Sequence, residues 1–398
     1  MHKQPKGYCE PLQPSATRSE TMKINITMGF FLPVPPIAGG AAEKIWFRLG
    51  REFAAAGHMV TLLSRGWPGF PTRETIDGVA MIRVPGFNHT RRLAFNLLLD
   101  SIWGVRLLRH LPAADITVCN NVSLPIHLPW LRPRAGRVVV VLGRMPKGQI
   151  RFYRRAERLV ATSAAVAARV ARECPALVPR TRVFLNPIDW ELHARSAAQR
   201  SDAVTIGFFG RLHPEKGLEL LLRAAVRLAA ESELPSWRVV LRGPSDVQRG
   251  GGGEAYVQRL QNEYGPKLGE RLTWEPPIFD ESVLARCYAA LDIFCYPSLA
   301  VQGEGLSVAP LEAMAAGAVP VLSCLDCYRD MLREGVNGFT FDHSSAAADT
   351  GLADVLARLI RDAGLRRTLA AQAREDARRF DYGVTARALL EDFVQLTR

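Results

Sequence analysis

A chain of 398 residues, 48% hydrophobic and 23% charged, is too long for one ordinary core and too apolar to be disordered, so two globular domains are expected. Seven cysteines, odd in number and scattered, exclude a disulfide-scaffolded secreted domain and indicate a reducing compartment. The net charge of +12 is uneven: residues 1–200 hold 29 Lys and Arg against 12 Asp and Glu, whereas the remainder holds 22 against 27. That excess suits an anionic partner for the first half (a membrane surface, a phosphorylated lipid or a nucleic acid) or a surface of solvated arginines.

In chain order, residues 1–21 are polar and Pro-containing without an apolar run, so they read as a disordered leader rather than a signal peptide, with Met22 as an alternative start. KINITMGFF, from Lys23, is an apolar strand that runs into the loop PVPPIAGG. The helix AAEKIWFRLGREFAAAG follows and stops at Gly57. MVTLLS, VAMIRVP, DITVCN, RVVVVLG and LVATS read as further strands. Residues 93–111 form the most apolar stretch, but Asn96, Asp100, Arg106 and Arg109 interrupt it, which rules out a membrane span. It reads either as a helix on a membrane surface, bracketed by Arg91, Arg92, Arg106 and Arg109, or as an ordinary buried helix.

Residues 186–202 are polar and without strand character, and they are expected to form a hinge. A second cycle starts at VTIGFFGR and continues through a helix over 218–230, WRVVLRG, RLTWEP, a helix over 281–290, LDIFCYPS and AVPVLSC. Apolar strands alternating with helices imply parallel sheets covered on both faces. The expected divisions are 1–21, 22–190, 191–380 and a closing segment, 381–398, whose helix returns to the first domain. The run of four glycines at 250–253 reads as a flexible connector.

Three motifs carry chemistry. In EGLSVAPLE, Glu304 and Glu312 flank a junction between loop and helix, where free N–H groups near Gly305, Leu306 and Ser307 suit an anion such as a diphosphate. Ionised carboxylates only accept hydrogen bonds, so the two acids suit the sugar and ribose hydroxyls on either side of that diphosphate. In GRLHPEKG, Arg211 and Lys216 supply a bidentate fork and a point charge for phosphate oxygens. At Gly39 and Gly40 a loop opens onto a helix, which permits close backbone approach to a ligand. Each motif alone is also compatible with solvated charges or a plain turn. No Asp-x-Asp or H-E-x-x-H occurs, and Cys324-x-x-Cys327 has neither a second pair nor a histidine nearby in sequence, so no metal site is expected. His58 at a helix end and His127 in a Pro-rich loop read as structural.

Together, GGAAEK, GRLHPEKG and EGLSVAPLEAMAAGAVPV resemble the retaining glycosyltransferase family 4, with TSAAVAARV, NPID and YPS as further landmarks. The resemblance runs from about Lys23 to the C-terminus and implies a GT-B fold, two Rossmann-like domains facing across a cleft. It implies a metal- and cofactor-free enzyme that moves a hexose-type sugar from a UDP- or GDP-sugar to a glycan or lipid-linked acceptor in polysaccharide or glycolipid biosynthesis. By this resemblance Gly39 and Gly40 approach the diphosphate, and Arg211 and Lys216 stabilise the leaving group. Glu304 holds sugar hydroxyls, Gly305 to Ser307 offer amides, Glu312 binds the ribose, and the base lies near Pro277 and Ile278. The histidine that many relatives carry after the strand matching RVVVVLG is replaced by Gly143 and Arg144, so Arg144 and Lys147 are candidates for an anionic acceptor. The cysteine usage, with no spanning segment or signal peptide, reads as a cytoplasmic chain, with peripheral contact at the inner membrane face as an option for the basic first half, and no nucleic-acid partner is expected. Two competing functions remain at this point: a sugar-nucleotide epimerase on the same scaffold, and a basic, non-enzymatic binding protein.

Overall fold

The computed structural model describes residues 21–90, 92–198, 201–301 and 303–398; the leader reading for 1–20 and Arg91 lie outside them. Two sheets organise the chain. The first has eight strands: β1 (Lys23–Thr27), β2 (Met59–Arg65), β3 (Arg73–Ile76), β4 (Val79–Val84), β5 (Ile116–Cys119), β6 (Arg137–Leu142), β7 (Arg158–Ala161) and β8 (Thr181–Val183), in the order β3-β4-β2-β1-β5-β6-β7-β8. The second has six: β9 (Val204–Phe209), β10 (Trp237–Arg242), β11 (Leu272–Glu275), β12 (Ile293–Tyr296), β13 (Val319–Ser323) and β14 (Phe339–Phe341), in the order β11-β10-β9-β12-β13-β14. Each order reverses beside the strand that opens its half, β1 or β9, and ligands of open parallel sheets sit at such switch points.

The helices of the first half are α1 (Ala41–Ala55), α2 (Leu93–His110), α3 (Leu124–Leu131) and α4 (Ala164–Glu173), followed by α5 (Trp190–Arg195) at the crossing between halves. The second half carries α6 (Leu218–Ala229), α7 (Glu254–Leu268), α8 (Glu281–Ala289), α9 (Val308–Ala315), α10 (Ala348–Arg361), α11 (Ala363–Ala377) and α12 (Tyr382–Thr397). β5, β7, β9, β12 and β13 are buried at every position, which explains why they read as continuous apolar runs.

The sheets are not wholly parallel. β3 is an antiparallel edge strand, joined to β4 by the two-residue turn Asp77-Gly78 with φ of 48° and 82°. An Asp-Gly turn of this kind tolerates positive φ at both positions and matches the twist of a hairpin. His127 lies within α3 rather than a loop, which corrects that reading.

The hinge expected over 186–202 is more structured than its composition suggests. Asp189 caps α5 by accepting from Leu192 N (3.0 Å), and Ile188 pairs with Asp381 of the returning chain. Ile188 N donates to Phe380 O (2.8 Å) and Tyr382 N to Ile188 O (3.1 Å), so both passages between the sheets are bonded to each other. Beyond this crossing α12 packs on the first half: Phe393 meets Phe53 of α1 edge-to-face at 5.9 Å, and buried Asp392 pairs with buried Arg158 of β7 at 2.8 Å. Burying an aromatic side chain of that kind contributes roughly 1.5–3 kcal/mol, enough to fix where the C-terminus returns. Among the described residues no helix is long and apolar enough to cross a membrane.

Candidate functional site

Two loops at the C-terminal ends of β9 and β12 converge beside the N-terminus of α9. Glu304 lies in the loop and Glu312 inside the helix, both buried. The N–H groups of Gly305, Leu306 and Ser307 donate to no atom among the described residues, leaving the helix end open to an anion. Glu304 receives three side-chain donors: Lys216 Nζ and Ser298 Oγ (2.9 Å) at one oxygen, Ser307 Oγ (2.6 Å) at the other. Burial alone would raise its pKa, but Lys216 and these hydrogen bonds outweigh it and hold the carboxyl below its usual range. Burial likewise works against the Lys216 ammonium, and Tyr296 and Glu304 overcome it, so Lys216 stays charged.

Arg211 is held by acceptors on both sides, Gly250 O (2.7 Å) and Glu215 Oε1 (2.7 Å). This revises the flexible-connector reading of the glycine run. Gly252 N donates to Leu212 O (2.8 Å), Gly253 N donates to Ser245 O (2.7 Å), and a Cβ on Gly251 would fall 2.2 Å from Ser245 O. The run is a packed turn that places Arg211, and only glycine fits it.

The first half supplies the opposite wall. A Cβ at Gly305 would approach Gly143 O and Thr162 Oγ1 to 2.6 Å, so the β6 exit loop touches the loop that carries Glu304. Gly39 faces Phe279, which follows Pro277 and Ile278 in the half-buried β11–α8 loop. Gly40 has φ of 102°, and a Cβ there would collide with the Glu43 carboxyl and Leu32. Arg144 is exposed, yet its charge reaches His89, His213 and Glu215, which places it over the cleft near Arg211. Lys147 is exposed as well, and its N–H donates to Gln149 Oε1 (2.7 Å).

Several participants have no signal in sequence spacing. Lys44 of α1 crosses to pair with Glu312. There Tyr288 also hydrogen-bonds the carboxylate, and His193 Nε2 lies 3.8 Å away. Burial raises the Glu312 pKa, and Lys44, His193 and Tyr288 together bring it below the usual value. Burial pushes His193 down to about 4, so it is neutral here. Four residues along α1 from Lys44, Arg48 pairs with Asp189 and lies 3.7 Å from Glu281. The third buried acid, Glu43, lacks any cation among the described residues, and burial pushes it up to about 7. The Lys44–Glu312 contact brings two motifs together that lie 268 residues apart.

The expectation that Cys324 has no histidine beside it is corrected. Parallel strand ends bring His343 Nδ1 to 3.6 Å from its sulfur, although 19 residues separate the two in sequence.

Residues 190–376 match the family described as Glycosyl transferases group 1. The D-inositol 3-phosphate glycosyltransferase of Geodermatophilus obscurus is 31% identical over 287 residues, covering 67% of this chain and 60% of that protein. The phosphatidyl-myo-inositol mannosyltransferase of Mycobacterium leprae is 32% identical over 187 residues, 47% of this chain and 45% of that one. The chain thus spans about half the length of the curated relatives it matches. Among solved structures, sucrose-phosphate synthase from Thermosynechococcus elongatus superposes with a TM-score of 0.77 at 19% identity, over 94% of this chain and 98% of that one. Anabaena HepE in complex with UDP and glucose gives 0.70 at 19% identity, over 93% and 99%. At such identities these two likenesses bear on the fold alone, which is the same two-sheet architecture.

Proposed function

Because this chain belongs to the glycosyl transferases group 1 family and has the GT-B fold, we propose that it transfers a hexose-type sugar, with retention, from a UDP- or GDP-sugar to a glycan or lipid-linked acceptor. The observation that carries this reading is the buried Lys216–Glu304 pair at the open N-terminus of α9, with Arg211 beside it and the Gly143 loop against it.

In this reading the donor diphosphate accepts from the amides of Gly305 to Ser307 and draws Lys216 partly away from Glu304. Glu304 is then free to accept from sugar hydroxyls, and Glu312 exchanges Lys44 for the ribose hydroxyls. The base lies against Pro277 and Ile278, and Gly39 and Gly40 let the first half close on the diphosphate. The bond from the anomeric carbon to the diphosphate oxygen breaks, and its electron pair passes to the diphosphate. Arg211, Lys216 and the helix end stabilise that charge, which is where preorganised electrostatics contribute most. An acceptor hydroxyl forms the new bond on the same face and gives its proton to the departing diphosphate. These steps use no metal ion.

One observation favours an acceptor at an anionic membrane surface. α2 is apolar on both faces: Leu99, Trp103 and Leu107 enter the core beside Asn96 and Asp100, where Asp100 accepts from Ser123 N (2.7 Å), and Trp103 Nε1 donates to Met28 O (2.9 Å). Leu93, Phe95, Leu98, Ile102 and Val105 face outward, with Arg92 and Arg109 exposed at the helix ends. Arg106 is not part of this rim, because it donates to Pro85 O and covers the Phe87 ring. An apolar face within a basic half suits partial burial among anionic headgroups. Flotation with anionic vesicles at low salt is expected for the wild type and lost in Leu98→Asp/Ile102→Asp; no flotation of the wild type would end this reading.

The donor is tested by thermal stabilisation across UDP-, GDP-, ADP- and TDP-sugars. One nucleotide should raise the melting temperature, and Glu312→Ala should lose the rise. Transfer is then assayed with that donor. No shift with any donor at saturation would count against a nucleotide-sugar enzyme.

A further inference from the structure

The Cys324 cluster lies outside the machinery described above. We propose that Cys324, Asp342 and His343 form a binding site for a zinc-class divalent cation at the outer edge of the second sheet.

The argument starts from strand register. β13 and β14 pair in parallel with Ser323 opposite Phe341, and Cys324 N donates to Phe341 O (3.0 Å). The residues that follow each strand, Cys324 on one and Asp342 and His343 on the other, therefore emerge side by side. Their ligand atoms all lie within 4.8 Å of one another. Tetrahedral zinc with its usual bonds to sulfur and nitrogen sets those two atoms about 3.5 Å apart. Here Cys324 Sγ lies 3.6 Å from His343 Nδ1 and 3.8 Å from Asp342 Oδ1. The two separations from the sulfur are thus nearly those a cation would impose, and the remaining pair lies within 4.8 Å, so side-chain adjustment without a change in the strands closes the set.

The donor set also selects the ion. A thiolate with an imidazole favours zinc and similar borderline cations over magnesium or calcium, which prefer all-oxygen shells. Asp342 Oδ1 is held by Ser344 N (2.9 Å) and Ser344 Oγ (2.6 Å), the kind of outer support that fixes a carboxylate ligand. Cys324 and Asp342 are exposed, so the fourth position opens to solvent and takes water or another ligand. Cys327 completes the C-x-x-C spacing in sequence, but it is buried in the core and outside the cluster.

The cation would fix the start of the segment 324–328, whose far end places Tyr328 Oη 3.3 Å from Ser307 Oγ in the donor site. The role is therefore structural and separate from the transfer chemistry.

Titration of the full-length, reduced, tag-free protein with Co²⁺ tests the site. One equivalent should bind, with a thiolate-to-cobalt charge-transfer band and the strong visible bands of a tetrahedral ion, and Zn²⁺ but not Mg²⁺ should displace it. Cys324→Ser should abolish the charge-transfer band, and His343→Ala should weaken binding at least about tenfold. Cys287→Ser, which changes a thiol on α8, should leave the spectrum unchanged. Circular dichroism of each variant verifies that the fold is retained. A wild type without the band, or a band that survives Cys324→Ser, would overturn the assignment.

Discussion

Three carboxyl groups lie buried on the two walls of the cleft, and the walls treat them differently. On the second-half wall, Glu304 and Glu312 each have a cation and hydroxyl donors, and both are held ionised. On the first-half wall, Glu43 is equally buried beneath Gly40 with no cation, and burial carries it up to about 7. Partners, not burial, decide the charge. The second-half wall is therefore preorganised as alternating charges, whereas the opposite wall offers backbone, one acid raised to about 7 and the exposed Arg144, with Lys44 and Arg48 reaching across to acids beyond it.

The sharpest way to break that contrast is to remove a cation from the paired wall. Lys216→Met leaves Glu304 buried without its ion pair, which is expected to cost about 3–5 kcal/mol in stability. It should also lower kcat by about 10²–10³-fold through loss of leaving-group stabilisation. Chemical denaturation and steady-state kinetics with the matched donor read both effects. A variant with unchanged kcat would place the diphosphate elsewhere.

Glu43 sharpens the comparison from the other wall, because its linkage to folding has the opposite sign. A carboxyl whose folded pKa is raised from 4.5 to about 7 contributes stability that is complete below 4.5 and is lost as pH rises through 7. The loss amounts to about 3 kcal/mol. Glu304 and Glu312, held below 4.5, contribute stability that is lost only as pH falls. Denaturation midpoints of Glu43→Gln and the wild type should thus converge near pH 4.5 and separate toward pH 7, with the variant the more stable. Parallel curves would mean that Glu43 has a partner in solution.

The paired wall was the legible one. Residues 304–312 and 210–217 are local motifs at one strand exit and one helix start, so the motifs taken together, with the family resemblance, single out Glu304, Arg211 and Lys216 as candidates. Their pairing was not legible, because Lys44, Tyr288 and His193 reach Glu312 from separate elements and Cys324 meets His343 only through strand register. The β3–β4 hairpin did have a local signal in Asp77-Gly78, but its short edge strand is half exposed and lacks an apolar run. α2 was ambiguous for a different reason: Leu99, Trp103 and Leu107 face the core together with Asn96 and Asp100 while Phe95, Leu98 and Ile102 face outward, so no single apolar stripe marks its buried side.

Arg144 tests whether the first-half wall serves the acceptor. It approaches the same cleft as Arg211 but belongs to the first half, and its charge lowers His89 after burial has done so. Arg144→Ala should raise the acceptor KM about tenfold, the value of one charge-assisted contact, with donor KM unchanged. Lys147→Ala, three residues along the chain, should change neither constant. Equal effects of the two substitutions would replace a defined acceptor contact with general attraction by the basic half.

The smallest effect concerns the seam between the walls. Lys44 and Arg48 lie four residues apart on α1, and both face acids of the crossing or the second half: Glu312 for Lys44, Asp189 and Glu281 for Arg48. The Arg48 pairs are about a quarter exposed, so each contributes only about 0–1 kcal/mol and is screened by salt. Arg48→Ala should therefore leave the melting temperature nearly unchanged. If the pairs form when the walls close, the same energy changes a closing equilibrium by at most about fivefold, seen as a higher donor KM at low salt that merges with the wild type at high salt. A donor KM that is insensitive to both the substitution and salt would show that donor binding alone, rather than the charged seam, brings the two walls together.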